Sequence, residues 1–197
     1  VEAEAAQLNA TAVLDQDLLD EVTGLVEWPV ALTGKFEKSF LQVPAEALVY
    51  SMKEHQKYFP VVDQQGQLLP NFITVSNIES SDPQQVVSGN ERVIRPRLSD
   101  ADFFFTTDKK TPLADRVDKL KDIVFQKKLG TLHDKTIRVA GLAQNIAEKT
   151  GADSNLAERA ALLSKTDLLT EMVGEFADMQ GIAGRYYALH DGEDASV

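Results

Sequence analysis

Leu14, Leu18, Val22, Leu25 and Val26 recur at helical spacing, which predicts a helix over about 14–24. Residues 1–12 are small and polar with no period and are expected to fray. WPVALTGKFE, residues 28–37, reads as a strand carrying a turn. Pro44 opens PAEALVYSMKEH; proline at a first helical position gives up no hydrogen bond, so a helix is predicted over 44–55. YFPVVDQQGQLLPNFITVSN, residues 58–77, alternates apolar and polar positions around Gln64–Gln67, the pattern of a β-hairpin. Asp82 and Pro83 mark a further helix start. Pro96 is expected to kink or break that helix, and Ser99 with Asp102 three residues on has the form of a new N-cap.

Beyond residue 110 the period is helical throughout. Leu113, Val117, Leu120 and Val124 predict a helix that stops at Gly130, with Lys127 and Lys128 in its last turn, where cations suit the dipole. Ile137, Leu142 and Ile146 predict a second helix over 133–149, ending at Gly151. A third is predicted over 154–175 and a fourth over 178–189. The expected fold class is α+β: a mixed α/β part over 1–110, with a hairpin and helices, then an all-helical part over 111–197.

Composition narrows the class. With 43% hydrophobic and 26% charged residues the chain is an ordinary globular sequence. Its apolar runs are too short to span a membrane, and residues 1–20 lack the basic start and apolar block of a signal peptide. The chain begins at Val1 rather than Met, which suggests a piece of a longer chain. The absence of cysteine removes disulfides and thiolate metal sites and fits a reducing, cytoplasmic setting.

The net charge of -11 argues against broad affinity for nucleic acid, because phosphate binding is driven by Lys and Arg. The charge is uneven, however. Glu91–Lys128 carries 10 basic and 7 acidic residues, whereas Glu148 onward carries 4 basic and 10 acidic. A polyanion is therefore expected to meet the middle of the chain.

Two clusters carry candidate chemistry. SMKEHQKYFPV places Lys53, His55, Lys57 and Tyr58 at a helix end; it reads either as a phosphate- or base-binding site or as a polar helix terminus. GNERVIRPRLSDADFFF offers Arg92, Arg95 and Arg97, whose forked guanidinium groups suit phosphate oxygens. Against this, Glu91 is four residues from Arg95 and can pair with it, and Phe103–Phe105 read as core. Gly34 and Gly89 are isolated, no phosphate-binding loop occurs, and nothing marks a nucleophile elbow, so no catalytic residue is assigned.

IRVAGLAQNIAEKTGADSNLAERAALLSKTDL, residues 137–168, resembles the first two core helices of HD-type metal phosphohydrolase domains. In that family a histidine three residues before the Arg of RVA, and a His-Asp pair after AALL, hold the metal. The matching positions here are Lys135, Ser164 and Lys165. A protonated lysine has no lone pair to offer, so the resemblance implies a dismantled site and no metal. Asp167 is either a remnant of that site or a helix-surface carboxylate. His133–Asp134 and His190–Asp191 are either a relocated metal site, with hydrolysis retained, or solvated helix-end residues.

EHQKYFPV, GNERVIRPRLSDADFFF and KTDLLTEMVGEFADMQGIAGRYYA together resemble the beta subunit of bacterial glycyl-tRNA synthetase, from about residue 20 to 192. In that family two alpha and two beta chains assemble. The alpha subunit carries the active site and uses ATP and Mg; the beta subunit holds tRNA(Gly). The resemblance implies an editing-like domain over 1–110 and an HD-like domain over 111–197 that is truncated at its C-terminal end, with no cofactor of its own. It makes Lys53, His55, Lys57, Arg92, Arg95 and Arg97 candidate RNA contacts, and the alpha subunit and tRNA(Gly) the expected partners. A purely structural scaffold is the competing reading. Editing is less needed for glycine, because a small pocket excludes larger side chains by size.

Overall fold

The start of the chain is ordered by what it touches rather than by its own pattern. Helix α1 (Glu2–Gln7) buries Ala5, and strand β1 (Thr11–Ala12) buries Ala12. The stretch expected to fray is instead the edge of a core. The computed structural model describes residues 1–197, which divide into two units, Val1–Asp102 and Phe103–Val197.

In the first unit, α2 (Gln16–Leu25) starts at Asp15, whose Oδ1 accepts the Leu18 N–H at 3.0 Å. Strand β2 (Val30–Lys35) leads through a 3-10 turn, Lys38–Gln42, to α3 (Ala45–Tyr50). A π-helical turn, Ser51–His55, follows and feeds β3 (Phe59–Val62), which pairs with β4 (Leu68–Ser76). The antiparallel sheet has the order β1-β3-β4-β2. Its hairpin closes where Asp63 Oδ1 accepts the N–H groups of Gln65 and Gln67 at 2.9 and 2.8 Å, with Gly66 at φ 77°.

Successive strand residues point to opposite faces. Phe59, Val61 and Ile73 form one core with Ala5, Leu18 and Val22. Phe72 is fully buried, is stacked by Tyr58 at 4.4 Å between ring centroids, and lies over its register partner Gly34. Burial pushes the Tyr58 phenol up to about 12.

Helix α4 (Pro83–Asp108) begins where Asp82 Oδ1 accepts the Gln85 N–H at 3.3 Å. It runs unbroken through Pro96, so of the expected kink or break the break does not occur, and Ser99 lies inside it rather than capping a new helix. Pro96 and Arg92 are on the exposed side, so the Arg92 carbonyl that the proline leaves unpaired faces water. Ile94, Leu98 and Ala101 are fully buried on the other side and hold the helix together. Tyr58 Oη donates to Asn90 Oδ1 at 2.6 Å, and Glu91 Oε1 accepts the Lys35 N–H at 3.0 Å.

In the second unit, a 3-10 segment over Leu113–Asp122 replaces the first part of the helix expected to reach Gly130. The remainder is a ribbon of β5 (Val124–Gln126) and β6 (Gly130–Thr131). Ile123, Val124 and Phe125 favour extended backbone, and Gly130 takes φ 86°, which a helix interior does not allow. Helix α5 (Leu132–Thr150) opens on a capping box between Thr131 and Asp134 and closes at left-handed Gly151.

Helix α6 (Ser154–Leu163) is capped by Asp153 and packs on α5, and small residues of the two helices, Ala140, Ala147 and Ala161, are buried. The single helix expected over 154–175 is interrupted after Leu163. A 3-10 turn, Thr166–Leu169, and α7 (Glu171–Glu175) take its place. The cause is a run of hydroxyls that bond local carbonyls: Ser164 to Ala161 at 2.8 Å, Thr166 to Leu163 at 2.7 Å, and Thr170 to Asp167 at 2.6 Å. A 3-10 turn, Ala177–Met179, leads to α8 (Ile182–Asp191). Leu113, Leu120, Met172, Phe176, Met179, Ala183 and Tyr187 fill the core of this unit. The fold class is α+β, and no helix is long and apolar enough to cross a membrane.

Candidate nucleic-acid interface

The lysines of the first cluster are engaged inside the first unit. Lys53, on the π-helical turn, meets Asp15 Oδ2 at 2.6 Å, and Lys57 meets Glu21 Oε2 at 2.9 Å. Both therefore brace the turn against α2. Asp15 is held below the usual carboxylate range, first by the Lys53 hydrogen bond and then by the Leu18 N–H. Lys57 holds φ 57°, an uncommon value for a residue other than glycine. The His55 ring meets the edge of Tyr50 at 5.7 Å.

The arginines of the second cluster divide. Arg95 Nε donates to Glu37 Oε1 at 2.7 Å, so the expected Glu91–Arg95 pair does not form. Glu91 is instead spent on the backbone of Lys35. Arg92 and Arg97 are exposed and make no ion pair or side-chain hydrogen bond. Of the three phenylalanines read as core, Phe105 is buried and Phe104 contacts Phe176, but Phe103 is 63% exposed.

Lys135, Ser164 and Lys165, the positions matched by resemblance to metal ligands, lie in the second unit. Lys135 places its Nζ 4.3 Å over the ring of Phe125, a cation–π contact. Ser164 donates to the Ala161 carbonyl and lines a cavity of 620 Å³ between α5, α6 and α8, walled by Val139, Ala143, Ala161 and Ala188. Asp167 and Arg185 supply polar groups to the same cavity. Asp167 is 1% exposed, so it is not a helix-surface carboxylate. Its Oδ2 accepts the N–H groups of Gly181 at 2.5 Å and Gly184 at 3.3 Å, which places its charge at the positive end of α8.

Both literal His-Asp pairs spend their aspartates on backbone. Asp134 completes the α5 capping box, and its carboxyl is held low by Thr131. Asp191 Oδ2 accepts the Leu113 N–H at 2.8 Å. No three His, Asp or Glu side chains converge anywhere in a metal-binding arrangement.

Two groups of residues escaped sequence reasoning. One is a buried node. Asp108 accepts the N–H groups of Glu171 and Met172, both at 2.9 Å, and the Tyr187 hydroxyl at 3.0 Å. Beside it, the buried Arg116 guanidinium donates to the carbonyls of Asp108 at 3.0 Å and Leu169 at 2.9 Å. Burial, then the Asp108 charge, raises the Tyr187 phenol far above its ordinary range. Its members lie far apart in sequence, so no local pattern announces it. The other is the tip of the β5–β6 ribbon, where the string VFQKKLG carried the signal: two strand formers, a polar turn and a glycine.

All of residues 1–197 match a family model described as glycyl-tRNA synthetase beta subunit. The glycine–tRNA ligase beta subunit of Marinobacter nauticus is 66% identical over 191 residues, covering 97% of this chain and 28% of the relative. That of Psychromonas ingrahamii is 61% identical over 197 residues, 100% of this chain and 29% of the relative. That of Proteus mirabilis is 63% identical over 193 residues, 98% of this chain and 28% of the relative. The chain thus spans under a third of the length of the curated relatives it matches.

Proposed function

The chain belongs to the glycyl-tRNA synthetase beta subunit family, and from that premise we propose that it is a tRNA-handling, non-hydrolytic part of a cytoplasmic glycine–tRNA ligase. Its partners in this reading are tRNA(Gly) and an alpha subunit that supplies the ATP- and Mg-dependent attachment of glycine, in an assembly of two alpha and two beta chains. The observation that carries the RNA side is the pair of free guanidinium groups, Arg92 and Arg97, on the exposed side of α4. Guanidinium forks bind phosphate oxygens well and lose little on leaving water. Lys53, His55, Lys57 and Arg95 are the further candidates; the two lysines and Arg95 would have to exchange a carboxylate for a phosphate.

The HD-like positions support a scaffold rather than a hydrolase. Lys135 is spent on an aromatic ring, and Ser164 is spent on a helix end. A purely structural role is the second reading, favoured by the Lys53–Asp15 and Lys57–Glu21 bridges.

Charge reversal separates the two. In the assembled alpha–beta enzyme, Arg92→Glu with Arg97→Glu is expected to weaken tRNA(Gly) binding by about tenfold or more at moderate salt. Binding measured by filter retention or fluorescence anisotropy checks this. Unchanged affinity in a fully assembled enzyme would favour the structural reading.

A further inference from the structure

The β5–β6 hairpin presents chemistry that the fold of the second unit does not require. Val124 is 74% exposed, Phe125 40% and Leu129 54%, all within one short ribbon. Lys127 and Lys128 occupy the two central positions of its turn, which closes with the Leu129 N–H on the Gln126 carbonyl at 2.8 Å. Neither lysine holds a positive φ, so the turn accepts most residue types and its geometry does not demand a lysine pair; neither lysine side chain has a partner.

The hairpin is also held firmly. Gly130 at φ 86° leaves no room for a Cβ, which would stand 2.3 Å from Asp134 Oδ2. The Leu132 N–H donates to the Ile123 carbonyl at 2.7 Å, and Arg138 Nη2 donates to the Leu129 carbonyl at 3.2 Å. Lys135 sits over the Phe125 ring and fixes it. The nearby acids do not neutralise the tip. Asp118 pairs with Lys121 at 2.5 Å, Asp134 is committed to Thr131, and Asp122 stands at the base of the ribbon.

We propose that this hairpin is an RNA contact separate from the Arg92–Arg97 pair, with Lys127 and Lys128 gripping successive phosphates and Phe125 offering its ring to an unpaired base. The inference rests on the tRNA-handling reading and names a contact within it. A rigid turn bearing two unpaired cations beside an exposed aromatic matches the combination that single-stranded RNA rewards: backbone charge plus a stacking surface. A protein partner would gain chiefly from Val124 and Leu129, whereas the two unpaired lysines at the tip favour a polyanion.

The test uses the complete alpha–beta enzyme and tRNA(Gly), with affinity followed across a salt series. Lys127→Ser with Lys128→Asn keeps turn-compatible residues. It is expected to lower affinity roughly tenfold and to reduce the slope of log affinity against log salt by about 1.5, the value for two lost phosphate contacts. Phe125→Ser is expected to cost about fivefold or more with little change in slope. Lys127→Arg with Lys128→Arg should restore both quantities, which a folding defect would not allow. Unchanged affinity and slope in assembled enzyme would overturn the proposal, as would loss of subunit assembly with normal tRNA binding in the assembled fraction, which marks a protein contact. Arg92→Glu with Arg97→Glu runs alongside. If it weakens binding and the hairpin variants do not, only the hairpin assignment fails; if neither does, the tRNA-handling reading fails.

Discussion

Asp108→Ala is expected to destabilise the second unit by about 3–5 kcal/mol, the cost of removing one member of a buried charged pair. The Asp108 carboxylate is 3% exposed and serves three donors: the N–H groups of Glu171 and Met172 and the Tyr187 hydroxyl. Alanine would leave all three unpaired beside the buried Arg116 guanidinium, whose nearest carboxylate contact is Asp108 Oδ1 at 3.6 Å. Domains of this size are stable by only about 5–15 kcal/mol, so the loss threatens the unit as a whole. Asp108→Asn keeps one acceptor and is expected to fall between, at about 1–3 kcal/mol. Hydrogen exchange resolved along the chain checks both. Protection should fall across residues 103–197 and persist in residues 1–102. A loss below about 0.5 kcal/mol, the range of ordinary surface substitutions, would mean that the node is not a stabilising element.

Gly34→Val is expected to cost the first unit about 3 kcal/mol, the upper part of the range for overpacking a core. A Cβ at position 34 would stand 2.3 Å from Phe72 Cζ and 2.8 Å from both Cε atoms. Phe72 is fully buried and stacked by Tyr58, so the ring has nowhere to go. By strand propensity alone valine should improve β2; the clash decides the sign. Denaturant titration of the single variants Gly34→Val and Phe72→Leu and of the double variant tests the mechanism. The double should be less destabilised than the sum of the singles, because the shortened side chain makes room. Additive costs would place the effect elsewhere.

These two sites show where the sequence is readable and where it is not. The β3–β4 hairpin was legible because period two and a polar turn agree over its whole length, and α5 was legible because Gly151 stops it. Asp108, Arg116 and Tyr187 were not, because buried polar partners are chosen by the fold, not by neighbours in sequence. Pro96 misled because its cost is met by buried neighbours on the far side of α4. The ribbon over 124–131 was hidden because the preceding period of four and three residues runs smoothly into it until Gly130.

The candidate site was legible by half. That Lys135, Ser164 and Lys165 are poor metal ligands can be read directly, because ligation is a property of the side chain. Which cations are free cannot be read. Three arginines in one string look alike, yet Arg95 is paired with Glu37 while Arg92 and Arg97 are not. Lys53 and Lys57 find their carboxylates at the cap of α2 and on α2 itself, more than thirty residues away.

In the proposed function this segment touches tRNA. The most direct measurement is photocrosslinking in the assembled alpha–beta enzyme, with a photoreactive side chain at position 92 or 97 and a control at exposed position 20 on α2. Crosslinks to tRNA(Gly) are expected from 92 or 97, competed by unlabelled tRNA(Gly), with none from 20. No crosslink from either arginine position, in enzyme that still charges tRNA(Gly) with glycine, would contradict the proposed function.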